Sequence, residues 1–160
     1  MKMPFAVFAM ICVGLFAGSA WAQPASSAAE QALRPLMAKM GKAAGARDAD
    51  GFMAFMLHSP SLVSAINGRV IHGWKALYAA QVKWWSRGKG NTQYVSGSAP
   101  EFMAVGPDVE IVTLQIVGQY ALPDGKVVTS PFVVTDVWQR RQQGWRIVYS
   151  HESWAEPRRD

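Results

Sequence analysis

The residues best suited to chemistry lie near the end of the chain, where His151, Glu152 and Trp154 fall in the last strand-like segment. A purely structural strand ends in solvated side chains, so polar and aromatic groups here indicate a strand that lines a cavity. Imidazole and carboxylate groups are common general acids and bases. A histidine such as His151 is also often a hydrogen-bonded structural residue, and the sequence leaves that alternative open.

Two more specific chemistries lack support in the sequence. The run from Ser150 to Glu152 contains the residue types of a catalytic triad, but adjacent strand residues point to opposite faces and cannot form a relay. The three histidines have no spacing that places two of them on one helix face, and the only cysteine, Cys12, lies near the start of the chain. We therefore expect no metal site and no cofactor.

The start of the chain has the pattern of an export signal. Lys2 supplies a positive charge, Phe5 to Phe16 is an apolar run, and Ala20-Trp21-Ala22 places small residues where a signal peptidase cleaves. The apolar run is short for a membrane span. We predict that residues 1–22 are removed as a signal peptide and that the mature protein is periplasmic or secreted.

The rest of the chain is predicted to form one domain, residues 23–156, followed by a short tail at 157–160. The whole chain carries a formal net charge of +5, and its basic residues are scattered. Lys83, Arg87 and Lys89 lie close to tryptophans, a pattern that could bind single-stranded nucleic acid. A helix with a buried aromatic face and a solvated charged face explains this pattern better in an exported protein. No nucleic-acid partner is expected, and no membrane contact after cleavage.

Helices are predicted first along the mature chain. Ser27-Ala28-Ala29-Glu30 has the capping-box pattern and begins an amphipathic helix, with Pro35 marking either a later start or a bend. Asp48 is the expected cap of a short second helix. A third helix is predicted from about Trp74 to Ser86, because apolar residues recur there at helical spacing.

Strands follow the helices. Asn67-Gly68 predicts an early hairpin between the second and third helices, because both turn residues accept a positive φ. Four long strands are then predicted at Thr92 to Val105, Val109 to Ala121, Val127 to Arg141 and Trp145 to Trp154. Their short connections require antiparallel neighbours. The fold class is therefore α+β, with helices on one side of a strongly curved antiparallel sheet.

The last two strands resemble a known superfamily. The runs Val134 to Arg141 and Gly144 to Ser153, with Gln119-Tyr120 before a turn, resemble the SnoaL-like branch of the nuclear transport factor 2-like superfamily. They are similar as well to the association domain of calcium/calmodulin-dependent kinase II. The resemblance covers residues 30–154. It implies a cone-shaped barrel, formed by a strongly curved antiparallel sheet packed against three amino-terminal helices, with a cavity at the open end.

The resemblance also implies positions for polar groups of the cavity. In the kinase association domain, arginines from the last two strands face the cavity, and the matching positions here are Asp136 and Glu152. The reversed charge favours a cation, an amine or a hydroxylated ligand over an anion. Trp84 and Trp85 match an aromatic wall at the end of the third helix. The predicted ligand-binding residues are Tyr78, Trp84, Trp85, Tyr120, Phe132, Trp138 and Trp154.

Strand parity leaves two arrangements of the last strand open. In one, Glu152 and Trp154 face the cavity; in the other, His151 faces inward together with Trp145 and Ile147. The second face is more apolar, so the pattern alone favours it as the core. Apolar residues on both faces predict a homodimer that forms through the outer face of the sheet.

Two functional classes fit these observations. The preferred one is an exported small-molecule-binding domain with its ligand, not identified by sequence, held in the cone. The alternative is a cofactor-independent SnoaL-type cyclase, isomerase or dehydratase, with Asp136, Glu152 and His151 as candidate acids and bases. The steroid-isomerase mechanism lacks its base, because no carboxylate lies between Asp50 and Glu101. A pure assembly module would require a filled interior.

Overall fold

The computed structural model describes residues 27–87, 93–121 and 124–155, without the side chains of Arg87, Tyr120 and Ala121. The predicted signal peptide, at 1–22, and the predicted tail, at 157–160, lie outside the described residues. No helix in the described ranges has both the length and the apolar character needed to cross a membrane.

Three helices lie in the first half of the described chain: α1 (Ala28–Ala46), α2 (Ala49–Met53) and α3 (Trp74–Arg87). The hydroxyl of Ser27 accepts the backbone N–H of Glu30 at 2.9 Å, and Asp48 accepts the N–H of Gly51 at 2.9 Å. Both predicted caps are confirmed, because each satisfies a backbone donor that the helix itself leaves unpaired. Pro35 lies inside α1 and does not begin it.

Seven strands form one sheet. They are β1 (Val63–Ile66), β2 (Arg69–His72), β3 (Gln93–Ser96), β4 (Glu101–Gly106), β5 (Val109–Ala121), β6 (Val127–Arg141) and β7 (Gly144–Trp154). The strand order is β2-β1-β7-β6-β5-β3, and β4 also pairs with β5. All pairs are antiparallel except β1 with β7, which is parallel. The predicted α+β fold, a curved and mainly antiparallel sheet with helices before it, is confirmed, and the sheet is unclosed.

The early hairpin has the predicted turn. Asn67 has a φ of 45° and Gly68 a φ of 78°, and Ile66 pairs with Arg69 across the turn. Positive φ at both central residues defines the two-residue turn whose twist matches that of the flanking strands. The side-chain oxygen of Asn67 also accepts the backbone N–H of Trp154 at 3.1 Å. The hairpin therefore fixes the end of β7.

The prediction of one strand from Thr92 to Val105 is wrong in the described part of that range. The chain forms β3 and β4, which pair with successive parts of β5. Between them, Gly97 donates its N–H to the carbonyl of Gln115 at 2.7 Å. A Cβ at Gly97 would lie 3.1 Å from that oxygen, a tight approach that glycine avoids. The interruption follows this contact: from Ser96 to Glu101 the chain advances five residues while its partner on β5 advances three, from Ile116 to Thr113, so the register shifts.

The core lies between the helices and the inner face of the sheet. Trp138 and Ile147 are fully buried and come from the two central strands β6 and β7. The other buried apolar residues that pack with them are Leu33, Met53, Met56, Leu62, Leu77, Val112 and Trp145. This core occupies one part of the inner face, because the rest of that face borders a cavity.

Candidate functional site

An irregularity between β6 and β7 decides which side chains reach the cavity. Val137 pairs with Tyr149, but the next residue, Trp138, pairs with Ile147. Val148 is therefore an extra residue in β7, a β-bulge. Because side chains alternate along a strand, one extra residue moves every later side chain to the other face.

The bulge divides β7 into two halves. Odd-numbered residues face inward before it, and even-numbered residues face inward after it. Before it, Trp145 and Ile147 are buried in the core. After it, Glu152 and Trp154 line the cavity, whereas His151 is exposed on the outer face. The pattern-based expectation that His151 faces inward with Trp145 is therefore wrong, because it assumed regular alternation along the whole strand.

The cavity has a volume of ≈ 250 Å³ and lies between the helices and the inner face of the sheet. Its lining is mainly apolar and aromatic. The residues that line it are Met37, Met40, Gly41, Ala44, Phe52, Met56, Ser64, Ile66, Leu77, Gln81, Trp84, Trp85, Tyr94, Val95, Ser96, Leu114, Ile116, Phe132, Val134, Asp136, Ser150, Glu152 and Trp154. A mainly apolar space with a few convergent polar groups is typical of small-molecule sites.

Asp136 is the most deeply buried ionisable residue of the cavity. Its side chain is 1% exposed, and its Oδ1 atom has no hydrogen-bond partner. Burial raises the pKa of Asp136 to about 7; the Ser150 hydroxyl opposes this shift by hydrogen bonding, and the Glu152 charge adds to it. A carboxyl group with this pKa exchanges a proton near neutral pH, as a general acid or base must.

Glu152 and Trp154 extend the polar region toward the hairpin. Val134 pairs with Glu152 and Asp136 pairs with Ser150, so Asp136 and Glu152 are diagonal neighbours on one face. The indole N–H of Trp154 donates to the Glu152 carboxylate. Trp154 in turn stacks on Phe132, with ring centroids 4.1 Å apart. The two carboxyl groups therefore lie beside an aromatic wall.

The helices supply the opposite wall. Trp84 and Trp85 of α3 both line the cavity, and Trp85 meets Phe52 edge to face at 5.3 Å. The adjacent β3 adds Tyr94, whose ring meets Phe132 edge to face at 6.1 Å. Aromatic side chains thus border the cavity from both the helical side and the sheet side.

Not every predicted wall residue lies at the cavity. Tyr78 donates its hydroxyl to Asp50 at 2.7 Å and stacks on Trp74, outside the lining. Trp138 is fully buried in the core and is not a lining residue. The side chain of Tyr120 lies outside the described part of the structure. The structure does bring Trp84, Trp85, Phe132, Trp154, Asp136 and Glu152 to one cavity.

No protein-family model matches the sequence, and no curated protein matches it. Solved structures do match. A nuclear transport factor 2-like superfamily protein from Salmonella enterica serovar Typhimurium superposes with a TM-score of 0.69 at 14% identity, over 80% of this chain and 92% of that one. The association domain of CaMKII from C. elegans gives 0.64 at 18% identity, over 79% and 95%. The chain has the nuclear transport factor 2-like fold.

A third structure with the nuclear transport factor 2-like fold is named as a candidate dehydratase, from Streptomyces avermitilis. It gives a TM-score of 0.65 at 17% identity, over 77% of this chain and 93% of that one. The predicted resemblance to this superfamily and to the kinase association domain is thereby confirmed. At these identities the likeness establishes the fold, and activity must be argued from the site.

Six polar or aromatic lining residues of this nuclear transport factor 2-like fold were missed as site residues: Phe52, Ser64, Gln81, Tyr94, Ser96 and Ser150. Ser64 and Gln81 are buried at the cavity, and Tyr94 forms part of its wall. The signal was present for Gln81, which interrupts an apolar stripe of the third helix. Ser64 and Tyr94 carry no comparable signal, because their positions depend on how β1 and β3 join the sheet.

A second buried acid lies on the same sheet face outside the cavity. Glu110 is 1% exposed, and its Oε2 atom has no hydrogen-bond partner. Burial raises its pKa, and the nearby Glu30 carboxylate adds to the effect. It pairs across strands with Trp138. Among the described residues, no three His, Cys, Asp or Glu side chains form a group that could hold a metal ion.

A second hollow lies at the β6–β7 turn, with a volume of ≈ 470 Å³. It is lined by Leu57, Ser59, Ser61, Arg141, Gln142 and Gln143. Most of these residues are exposed, and none is a buried ionisable group. Its volume is larger than that of the Asp136 cavity, but a shallow hollow on an exposed turn gives a ligand little desolvated contact.

Proposed function

We propose that the protein is an exported small-molecule-binding domain, with an apolar or hydroxylated ligand held in the cavity beside Asp136. The observation that carries this proposal is the buried Asp136 carboxyl group in the lining of an apolar cavity, with one oxygen, Oδ1, that has no hydrogen-bond partner. A buried polar atom without a partner costs free energy, of the order of 1–3 kcal/mol. A ligand with a hydrogen-bond donor offsets that cost while its apolar body covers the aromatic wall.

The direct test is native mass spectrometry of the purified mature protein, followed by denaturation and identification of any released small molecule. A bound species of fixed mass is expected. Gly41→Phe is a suitable blocking variant, because Gly41 lines the cavity and an added Cβ meets no atom within 4 Å. Gly45→Phe, also with open space around it, is the control on the same helix. Equal ligand content in both variants would contradict the proposal.

The export part of the proposal rests on the leader pattern in residues 1–22. Expression of the full chain in a Gram-negative bacterium, with fractionation and amino-terminal sequencing, tests it. The expected result is a periplasmic or secreted protein that begins at Gln23. An uncleaved chain in the cytoplasmic fraction would rule out export.

We further propose that two copies pair through the outer face of the sheet. Met103, Ile111, Val137 and Tyr149 are consecutive cross-strand partners on that face. Met103 is 57% exposed and Tyr149 is 36% exposed. A continuous apolar row of this kind is typical of a face that a second subunit covers.

Light scattering of the purified protein tests the dimer. Wild type is expected at twice the monomer mass, and Tyr149→Glu is expected to be monomeric, because it places a charge in the row. Val70→Glu is the control, since Val70 is 57% exposed but lies on β2, outside the row. A monomeric wild type would refute the dimer without affecting the ligand proposal.

A second candidate function is a SnoaL-type enzyme that needs no cofactor. It is favoured by the pKa of Asp136, raised to about 7, with Glu152 beside it. Of the comparison structures, the one named as a candidate dehydratase points in the same direction. If a substrate is found, Asp136→Asn and Glu152→Gln are each expected to lower kcat at least about 100-fold. Full turnover in both variants would exclude acid–base catalysis by these carboxyl groups.

A further inference from the structure

We propose that the ligand of this cavity is an organic monocation: an ammonium group on a small apolar or aromatic body, held between the Asp136–Glu152 carboxyl pair and the aromatic wall. The inference rests on the proposed binding function and deepens it by naming the class of ligand. Three observations support it: the carboxyl pair, the composition of the charged lining, and the arrangement of the rings around the cavity.

The carboxyl pair supplies a concentrated negative potential when ionised. Asp136 is 1% exposed, has an oxygen without a hydrogen-bond partner, and is a diagonal neighbour of Glu152 on the same face. Two carboxyl groups at this spacing repel each other in a poorly hydrated site. An ammonium group between them replaces that repulsion with two attractions, and its N–H groups donate charge-assisted hydrogen bonds to carboxylate oxygens.

The described residues that line the cavity include no lysine, arginine or histidine. Within the described ranges, the titratable groups facing it are Asp136 from β6, Glu152 from β7 and Tyr94 from β3. The lining residues of α1, α2 and α3 are all uncharged. No cation among these described lining residues lies beside the buried Asp136 carboxylate, so a bound ammonium group would supply a counter-charge to that group.

The wall suits a cation as well. Trp84 and Trp85 face the cavity from α3, and Phe132 and Trp154 face it from the sheet. Aromatic faces attract cations by about 0.5–2 kcal/mol each, more when water is excluded. A neutral alcohol of the same shape can also form a hydrogen bond to Asp136. It gains neither the attraction of a cation to the carboxyl pair nor the attraction of a cation to the aromatic rings. The cavity, at ≈ 250 Å³, lies below the roughly 300–1,000 Å³ of drug-sized sites, so the cation must be small.

Benzylamine, benzyl alcohol and benzoate form a matched series of probes, because they share a ring and differ in the charge of the polar group. Binding at pH 8 can be followed by tryptophan fluorescence and isothermal titration calorimetry. We expect wild type to bind benzylamine at least tenfold more tightly than benzyl alcohol, and benzoate least. Asp136→Asn should lower the affinity for benzylamine at least tenfold and leave that for benzyl alcohol nearly unchanged.

Glu110→Gln is the matched control, because Glu110 is equally buried on the same sheet face but does not line the cavity. It should keep the wild-type preference for the amine. Glu152→Gln provides a second cavity variant in case Asp136→Asn does not fold, and it should reduce the preference at least threefold. The comparison of the three probes in wild type requires no variant.

The pH dependence gives an independent readout. Because the pKa of Asp136 is about 7, its carboxyl group is mostly protonated below pH 7. A cation that binds to the carboxylate must then displace that proton. Affinity for benzylamine should therefore rise with pH by up to about tenfold per unit below pH 7 and level off above it. Affinity for benzyl alcohol should not show this rise.

The outcomes separate the two proposals. Equal binding of amine and alcohol in wild type, or an amine preference that persists in both cavity variants, would overturn the cation inference and leave small-molecule binding intact. Binding of none of the three probes would also overturn it. The binding function itself is tested by native mass spectrometry alone. It would be contradicted if no ligand copurified, or if Gly41→Phe and Gly45→Phe had equal ligand content.

Discussion

Asp136 and Glu110 are two buried carboxyl groups on one sheet face with different surroundings. Each is 1% exposed, each has an oxygen without a hydrogen-bond partner, and burial raises the pKa of both. Asp136 borders a cavity, whereas Glu110 lies outside it, where the Glu30 carboxylate of α1 affects its pKa. The comparison teaches that burial alone raises the pKa of a carboxyl group. Only a group that also borders a cavity, as Asp136 does, can use its raised pKa on a ligand.

Trp138 is a neighbour of both acids on the inner face of the sheet. It is two residues from Asp136 along β6, pairs across strands with Glu110, and is fully buried. Its indole Nε1 has no hydrogen-bond partner. The ring therefore contributes by filling space in the core, and the first prediction tests that role.

The largest effect is expected for Trp138→Ala. Removing a buried tryptophan leaves a void that the surrounding core fills only in part, so the free energy of unfolding should fall by about 3–5 kcal/mol. Trp138→Phe keeps most of the volume and loses only an N–H without a partner, so it should cost less than about 1.5 kcal/mol. Urea unfolding measures both. Equal losses would show that the ring does not act by filling space.

The next largest effect is the pH dependence of stability due to Asp136. The folded-state pKa of about 7 exceeds the unfolded value of 3.8. Between these values the folded state holds a proton that the unfolded state has lost, so stability falls as pH rises from about 4 to 7, by about 4 kcal/mol. Above pH 7 this contribution is constant.

Asp136→Asn removes this titration and should therefore be more stable than wild type above pH 7. The measurement is chemical unfolding of both proteins at pH 4, 5.5, 7 and 8. If the two stability profiles run parallel over this range, Asp136 does not titrate with a raised pKa. Glu110→Gln should show a change of the same sign, because burial raises the pKa of Glu110 as well.

A smaller effect is expected at the β1–β2 turn. Asn67→Ala removes the acceptor for the Trp154 N–H and places alanine at a φ of 45°. The lost hydrogen bond and the unfavourable backbone should together cost about 1–3 kcal/mol. Asn67→Gly loses the acceptor but accepts the φ, so it isolates the hydrogen bond. Thermal unfolding distinguishes them, and identical melting temperatures would show that backbone strain at residue 67 is negligible.

The smallest effect is the one expected from Glu110→Gln on probe binding. Because Glu110 lies outside the cavity lining, benzylamine affinity should stay within about twofold of wild type. Calorimetric titration at pH 8 provides the value. A larger loss would show that the two acids are electrostatically coupled through Trp138 and would weaken the distinction between the two regions.

The sequence predicted much of the fold because its signals were local. The Ser27 and Asp48 caps, the Asn67-Gly68 turn and the third helix each depend on a few neighbouring residues, and all are present. The strand from Thr92 to Val105 was predicted wrongly because its interruption is a shift of register against β5, a strand that follows later in the chain. Local patterns do not contain such a register.

The candidate site was predicted only in part for the same reason. Asp136, Glu152, Trp84, Trp85, Phe132 and Trp154 do lie at one cavity, but their selection relied on a resemblance. Tyr78 lies elsewhere because Asp50 accepts its hydroxyl hydrogen, a contact between residues far apart in the chain. His151 is exposed because of the bulge at Val148.

The amino-acid sequence by itself therefore determined the caps, the tight turn and the order of helices and strands, because backbone preferences act over a few residues. The tertiary structure decided the two-strand pairing along β5, the change of inward parity within β7 and the assignment of each acid to the cavity or beyond it. These features depend on register between distant segments, and one extra residue at Val148 reverses the inward face for the rest of that strand.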